Sequence, residues 1–422
     1  MRIFRDLIAT AVVVVLFVAL LEVGLRLAGV RYEYSFYESD PVIYTTYRPN
    51  AEGWEVKEGE NRVRINSLGM RDRERSVTPS PGTTRIALLG DSLVAATQVP
   101  IEKTMAQVLE RTLNRTLGQS GQSSEVLNFA QGGSTLAQQY LMLRHRVWDF
   151  QPQIVMVFVS PISVPTCSRR LDTVAAPKPF YLIRDGRLVP DPRSHPPAAA
   201  SLEVRRRNGT LKNLMNQYRL LLLLRQALGE GAEKIGRMEG EIGALAKGTF
   251  AEAQAEADDE RYVYPVDIWF RAHASAEVEE AWQVAEGLLG RIAEEARQHG
   301  AELWLATIGT EIQENPDVAE RTAYLTAHGY QEVAYSERRF ETFARREGIP
   351  YLGMSRPMLD YAEGNHVSVR GFFNTPPNRG HWNEVGNAAA AGIVIGELFE
   401  RSAVIRSARA KSLQAHRAGP DR

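Results

Sequence analysis

Five short apolar runs set the frame for this chain: 85–89 (RIALL), 125–129 (EVLNF), 154–160 (IVMVFVS), 302–308 (ELWLATI) and 350–352. None of them alternates apolar with polar residues, as strands with one wet face do. Unalternated runs of this length fit strands covered on both faces, the condition of a parallel sheet. Between or after them lie helical periodicities near 103–117, 135–149, 276–299, 334–347 and 384–400. Strand alternating with helix predicts βαβ units. The expected fold is therefore α/β, a doubly wound parallel sheet of five strands.

The 422 residues leave room for one such domain with insertions. Basic and acidic side chains nearly cancel, 50 against 51, so no overall field favours nucleic acid. The single cysteine, Cys167, excludes an intramolecular disulfide and any cysteine-based zinc site, and reads as a small buried apolar residue.

Residues 7–21 (LIATAVVVVLFVALL) carry no charge and follow Arg2 and Arg5. Fifteen helical residues reach only about 22 Å against a hydrocarbon core of roughly 30 Å. Extension to Leu25 closes the gap if Glu22 reaches the far interface. No small-x-small cleavage site follows, so an uncleaved anchor, residues 1–30, is favoured over a removed signal. The leading arginines place the N-terminus in the cytoplasm and the rest outside, a single pass through the inner membrane. Residues 31–84 read as a membrane-proximal cap or stalk with a few short strands, ahead of a main domain over 85–402. An insertion at 165–266 opens with Pro-rich loops, continues into an apolar helix near 211–228, and passes into an Ala/Glu/Gly-rich arm over 228–260. The basic stretch 403–422 reads as a disordered tail.

Two places carry chemistry. The first strand runs into Gly90-Asp91-Ser92-Leu93 and then a helix. A strand-to-helix turn exposes a hydroxyl at the carboxyl edge of a parallel sheet, where emerging N–H groups face whatever the hydroxyl attacks. Taken alone, GDS is equally a helix cap. The second place is Gly380-His381-Trp382-Asn383, just before the final helix, which Asn383 can cap. Histidine is the natural base for a serine hydroxyl near neutral pH.

With IALLGDSL, VLNFAQGGST and GHWNEVGN in view, the chain resembles the SGNH/GDSL hydrolases, and INSLGMRDRE (65–74) resembles their membrane-anchored bacterial members. The resemblance spans about 60–400, with the insertion poorly matched. It implies a flavodoxin-like five-stranded sheet, Ser92 as nucleophile, His381 as base, and backbone N–H groups of Ser92 and Gly133 as the oxyanion site, Gly132 being the near alternative. It implies no metal and no organic cofactor.

Two departures follow. Ile162 stands where the family places an oxyanion Asn, making Ser160 and Ser163 the candidates to supply a hydroxyl instead. Asn378 and Arg379 stand where the family often has an Asp before the histidine. Asp91 and Asn378 are kept as supporting residues, and the orienting acid is sought elsewhere, at Asp360 or Glu363. The implied activity is a serine esterase removing an O-acyl group from a surface glycan or lipid. Transfer to a sugar hydroxyl is the second reading, since the alginate O-acetyltransferases share the His-Trp pair but have an Asp at the position of Arg379. A degenerate binding module or scaffold is the third.

Overall fold

The computed structural model describes residues 2–31, 36–117, 123–172, 177–196, 209–210, 213–214, 217–224, 227–228, 265–272, 275–330 and 333–417. The arm expected at 228–260 lies, but for its first residue, outside them. Of the apolar helix expected near 211–228, residues 211–212, 215–216 and 225–226 also lie outside them, and 213–214, 219–224 and 227–228 are helical.

The chain begins with α1 (Arg2–Leu27), whose 26 residues span about 39 Å, enough for a hydrocarbon core. Among the described residues it is the one helix long and apolar enough to cross a membrane. Two antiparallel hairpins follow, β1 (Tyr37–Asp40) with β2 (Tyr44–Tyr47), and β3 (Glu52–Glu55) with β4 (Asn61–Arg64).

The parallel sheet comes next. It comprises β5 (Thr83–Leu89), β6 (Ser123–Asn128), β7 (Ile154–Val159), then β10 (Glu302–Thr307) and β11 (Tyr351–Gly353), in the order β11-β10-β7-β5-β6. By position in the sheet this is the doubly wound order 2-1-3-4-5, with its switch point between β5 and β7. Between β7 and β10 a separate hairpin, β8 (Tyr181–Arg184) with β9 (Arg187–Pro190), occupies part of the stretch expected to be Pro-rich loops.

Helices α2 (Ser92–Ala95), α3 (Met105–Leu117), α4 (Leu136–His145), α5 (Pro265–Phe270) and α6 (Ala276–Gln298) are followed by α7 (Val318–Ala327), α8 (Tyr335–Glu347), α9 (Ser355–Asn365), α10 (Glu384–Arg401) and α11 (Ala403–Arg417). Alternate strand residues feed opposite sides: Ile86 and Leu88 join the core under α3 and α10, Ala87 and Leu89 the core under α4 and α6. Covering both faces is why the runs do not alternate.

Two expected boundaries move. Tyr47, Val63 and Ile65 are fully buried in the same core as β5 and α3, so residues 36–84 are part of the folded unit and not a stalk before it. Within INSLGMRDRE, Asn66 Oδ1 accepts the Leu68 and Met70 amides at 3.0 and 2.9 Å, closing a turn. Asp72 and Arg75 form a buried pair that also meets Glu110 on α3, the Val126 carbonyl and the Asn128 amide. That motif bolts the N-terminal segment to β6. At the other end, residues 403–417 of the stretch expected as a disordered tail form α11, because Ile405 and Ala408, three apart, reach one buried stripe against the core, while 418–422 lie outside the described residues.

Candidate active site

β5 ends at Leu89, and the chain turns through Gly90-Asp91 into α2, leaving Ser92 at the helix start. A Cβ on Gly90 would sit 2.7 Å from Val94 Cγ2 and 3.3 Å from Phe158, so the tight turn needs a glycine. Asp91 caps α2 by accepting the Leu93 amide at 3.0 Å. Its other oxygen accepts the Ser160 hydroxyl, which holds the turn to the end of β7.

The base arrives from the far end of the chain. Arg370 and Trp382 form an isolated antiparallel bridge, and Asn383 caps α10 by accepting the Gly386 amide at 2.9 Å. Beneath them Glu314, 1% exposed, accepts Arg370 Nε and Trp382 Nε1, each at 2.7 Å. Arg370 also donates to the Gly380 carbonyl at 2.6 Å. The residues on both sides of His381 are thus fixed by a buried ion pair. Its imidazole Nε2 lies 2.7 Å from Ser92 Oγ.

The third group is Glu58, from the turn between β3 and β4. Its Oε2 accepts the His381 backbone N–H at 2.7 Å and lies 2.9 Å from Nδ1. Burial would raise this carboxyl, but hydrogen bonds and charge from His381 outweigh it and hold Glu58 below its usual range. An ionised carboxylate only accepts. Nδ1 is therefore the protonated nitrogen, and Nε2 is left to accept the Ser92 hydroxyl proton. Gly380 permits the approach: a Cβ there would lie 2.4 Å from Glu58 Oε2, and its φ is +74°.

Glu58 corrects the expected source of the acid. Asp360 pairs with Arg356 on the exposed side of α9, and Glu363 pairs with Arg321. Neither meets His381. Asn378 sits at φ +60° with its amide donating to Ser368 Oγ, and Arg379 is drawn to Glu311 and Glu320. A sequence signal for Glu58 does exist: an acidic residue before a glycine in a turn between two short β-type stretches, WEVKEGENRV.

The turn carrying Glu58 is clamped from the histidine side. Asn374 Oδ1 accepts the Gly59 amide at 2.6 Å, and its Nδ2 donates to the Val56 and Gly59 carbonyls at 3.0 and 3.2 Å. Gly59 has φ +77°, and a Cβ there would strike the Phe372 ring. Acid and base loops are locked to each other.

On the opposite side of Ser92 lies the Gln131–Ser134 turn. Tyr37 Oη donates to the Gly132 carbonyl at 3.1 Å, and the Gly132 amide donates to Tyr47 Oη at 3.2 Å. A Cβ on Gly132 would be 3.7 Å from Ser92 Cβ. With Gly132 committed, the Gly133 amide is the one in this turn without a partner among the described residues.

The Ser160 hydroxyl donates to Asp91, and Ser163 is buried and does not line the cleft. Ser163 Oγ accepts the Ser160 amide at 2.9 Å. Ile162 is 37% exposed and lines the cleft. That cleft, about 430 Å³, is also lined by Ser92, His381, Ile312, Tyr324 and Arg379. Cys167 is buried, and burial pushes its thiol up, which keeps it inert.

No protein-family model matches the sequence, and no curated protein does. Solved structures do match. The acetyl xylan esterase AlAXEase is 12% identical, covering 74% of this chain and 99% of its own, with a TM-score of 0.38. A putative lipolytic protein of the G-D-S-L family from Desulfitobacterium hafniense is 12% identical over 74% and 98%, TM-score 0.33. A two-domain esterase active on acetylated mannans is 11% identical over 78% and 50%, TM-score 0.35.

Proposed function

We propose that this chain is a membrane-anchored serine ester hydrolase of the SGNH type, acting outside the cytoplasm on an O-acyl group of a surface glycan or lipid. The observation that carries the reading is the unbroken relay Ser92–His381–Glu58, at 2.7 and 2.9 Å, at the edge of an open cleft. His381 takes the Ser92 proton as Oγ attacks the ester carbonyl, and Glu58 stabilises the imidazolium. The backbone N–H groups of Ser92 and Gly133 receive the oxyanion. His381 then protonates the departing alcohol, and water, deprotonated by the same imidazole, releases the acid from Ser92. The external location rests on α1 and its leading arginines, the substrate class on that location.

Labelling by a fluorophosphonate together with hydrolysis of an aryl acetate tests the reading. Wild-type protein is expected to do both and Ser92→Ala neither. An unlabelled, inert wild type would leave a binding module instead.

A further inference from the structure

α1 does not leave the folded domain as a free tether. Glu22, five residues from its end, is 9% exposed although it lies in an apolar helix. Its two oxygens accept the Arg219 and Leu220 amides at 3.1 and 3.0 Å, and Arg26 Nε at 2.7 Å. Arg26 also donates to the Gln217 carbonyl at 2.7 Å, and Arg219 to the Leu25 carbonyl at 3.0 Å. The start of the helical stretch 219–224 is thus capped by the membrane helix itself. Five residues of helix are about 8 Å, so this stretch lies beside the last turn and a half of α1.

Its side chains divide by burial. Leu222 packs on the domain core, while Leu221, Leu223, Leu224 and Leu228 are exposed at 38, 37, 50 and 74%. Tyr218 and Leu214 are exposed as well, at 46 and 51%.

We propose that this leucine face is a second membrane contact, seated at the headgroup–acyl boundary of the bilayer that α1 crosses. The proposal rests on the reading of α1 as an uncleaved anchor. Amphipathic helices lie about 5–10 Å into that boundary, and the Glu22 contact holds this stretch about 8 Å from the end of α1. It also explains a carboxylate in the span: Glu22 is paired and hydrogen-bonded, and so never faces lipid as a bare charge.

The contact has a consequence for the site. Arg31, four residues beyond α1, pairs with Glu60 and stacks over Trp54 at 4.2 Å, on the hairpin whose turn carries Glu58. Four residues of chain reach at most about 14 Å. With the leucine face seated, the hairpin carrying the catalytic acid is held close to the bilayer, and the substrate that suits it is an ester at the membrane surface.

The test uses the full-length protein in vesicles of phosphatidylcholine and phosphatidylglycerol. An environment-sensitive fluorophore is placed singly at Leu224→Cys, Leu228→Cys, Val14→Cys and Glu341→Cys, the buried Cys167 leaving the label to each new thiol. Nitroxide lipids quench at shallow or deep positions. The expected result is strong deep quenching at Val14, several-fold stronger shallow quenching at Leu224 and Leu228 than at Glu341, and none above background at Glu341. Quenching at Val14 with Leu224 and Leu228 matching Glu341 overturns the leucine contact and leaves the anchor standing. Loss of quenching at Val14 overturns the anchor and the contact with it. A blue-shifted but unquenched probe at Leu224 assigns the face to a second copy or a protein partner, and overturns the proposal.

Discussion

In the proposed mechanism Ser92, His381 and Glu58 act on one proton, so their removal should not multiply. Ser92→Ala and His381→Ala are each expected to abolish nearly all ester hydrolysis, with the double variant hardly worse than either. Independent losses in steady-state kinetics would sever the pair. Glu58→Gln keeps the shape but loses the charge that fixes the imidazole tautomer, and kcat should fall on the order of 10³-fold or more. Asn374 touches none of these atoms, yet it holds both ends of the Glu58 turn. Asn374→Ala should lower kcat about 10- to 10²-fold and flatten the pH–rate profile while Tm moves little, as expected when an orienting group drifts. At Ile162 the structure disfavours the serine alternative, because the Ser160 hydroxyl donates to Asp91 and Ser163 is buried away from the cleft lining. The side chain is part exposed in the cleft, so an introduced amide meets water and pays no burial penalty. Ile162→Asn is therefore expected to raise kcat with unchanged Tm; an equal or lower kcat would show that the position does not face the oxyanion.

Among the elements, α1 and the Asp72-centred motif do different work. α1 contributes Glu22 and Arg26 to the contact with 217–220 and nothing to the sheet cores. Full-length protein should stay with membranes through a carbonate wash; recovery of a soluble form starting near residue 30 would mark a cleaved signal instead. Asp72 is different, since it sits buried between Arg75 and the amide of Asn128, with Gln107 also donating to it. Asp72→Ala leaves the Arg75 guanidinium buried with less charge around it. With Glu110 still paired to Arg75, the loss should stay below the roughly 3–5 kcal/mol of a fully unpaired buried charge, measurable as a fall in the denaturation midpoint, with no direct effect on the Ser92–His381 distance.

At the scale of the whole molecule, acid stability reports on Glu58. Its carboxyl is held below the usual 4.5, so the folded protein stays ionised there while the unfolded chain takes up a proton. The stability it contributes is complete above pH 4.5 and is lost as pH falls through the lowered folded value. Glu58→Gln should accordingly show a shallower fall of Tm with acidification in that window. Parallel curves for the two proteins would mean that His381 does not hold the carboxylate.

What the sequence determined by itself is local in origin. Unalternated apolar runs announced strands buried on both faces, and β5, β6, β7, β10 and β11 lie where those runs stand. GDS after a strand and GHWN before a helix marked Ser92 and His381, because a sharp turn and a capped helix each leave a pattern in consecutive residues. The tertiary structure alone decided the rest. Glu58 is 323 residues from His381 and belongs to a hairpin of two four-residue strands, and its position at the histidine comes from where the hairpin docks. Ser160 and Ser163 stand close to Ile162 in sequence, but packing commits the Ser160 hydroxyl to Asp91 and buries Ser163 off the cleft. α7, α9 and α11 went unread because they bury little of themselves, none of α7 and only Ser355, Met358 and Ala362 of α9, and α11 is held as a helix by the core it covers. Spacing along a chain records what one element needs to bury, whereas a triad acid is set by the contact between elements, which no single stretch encodes.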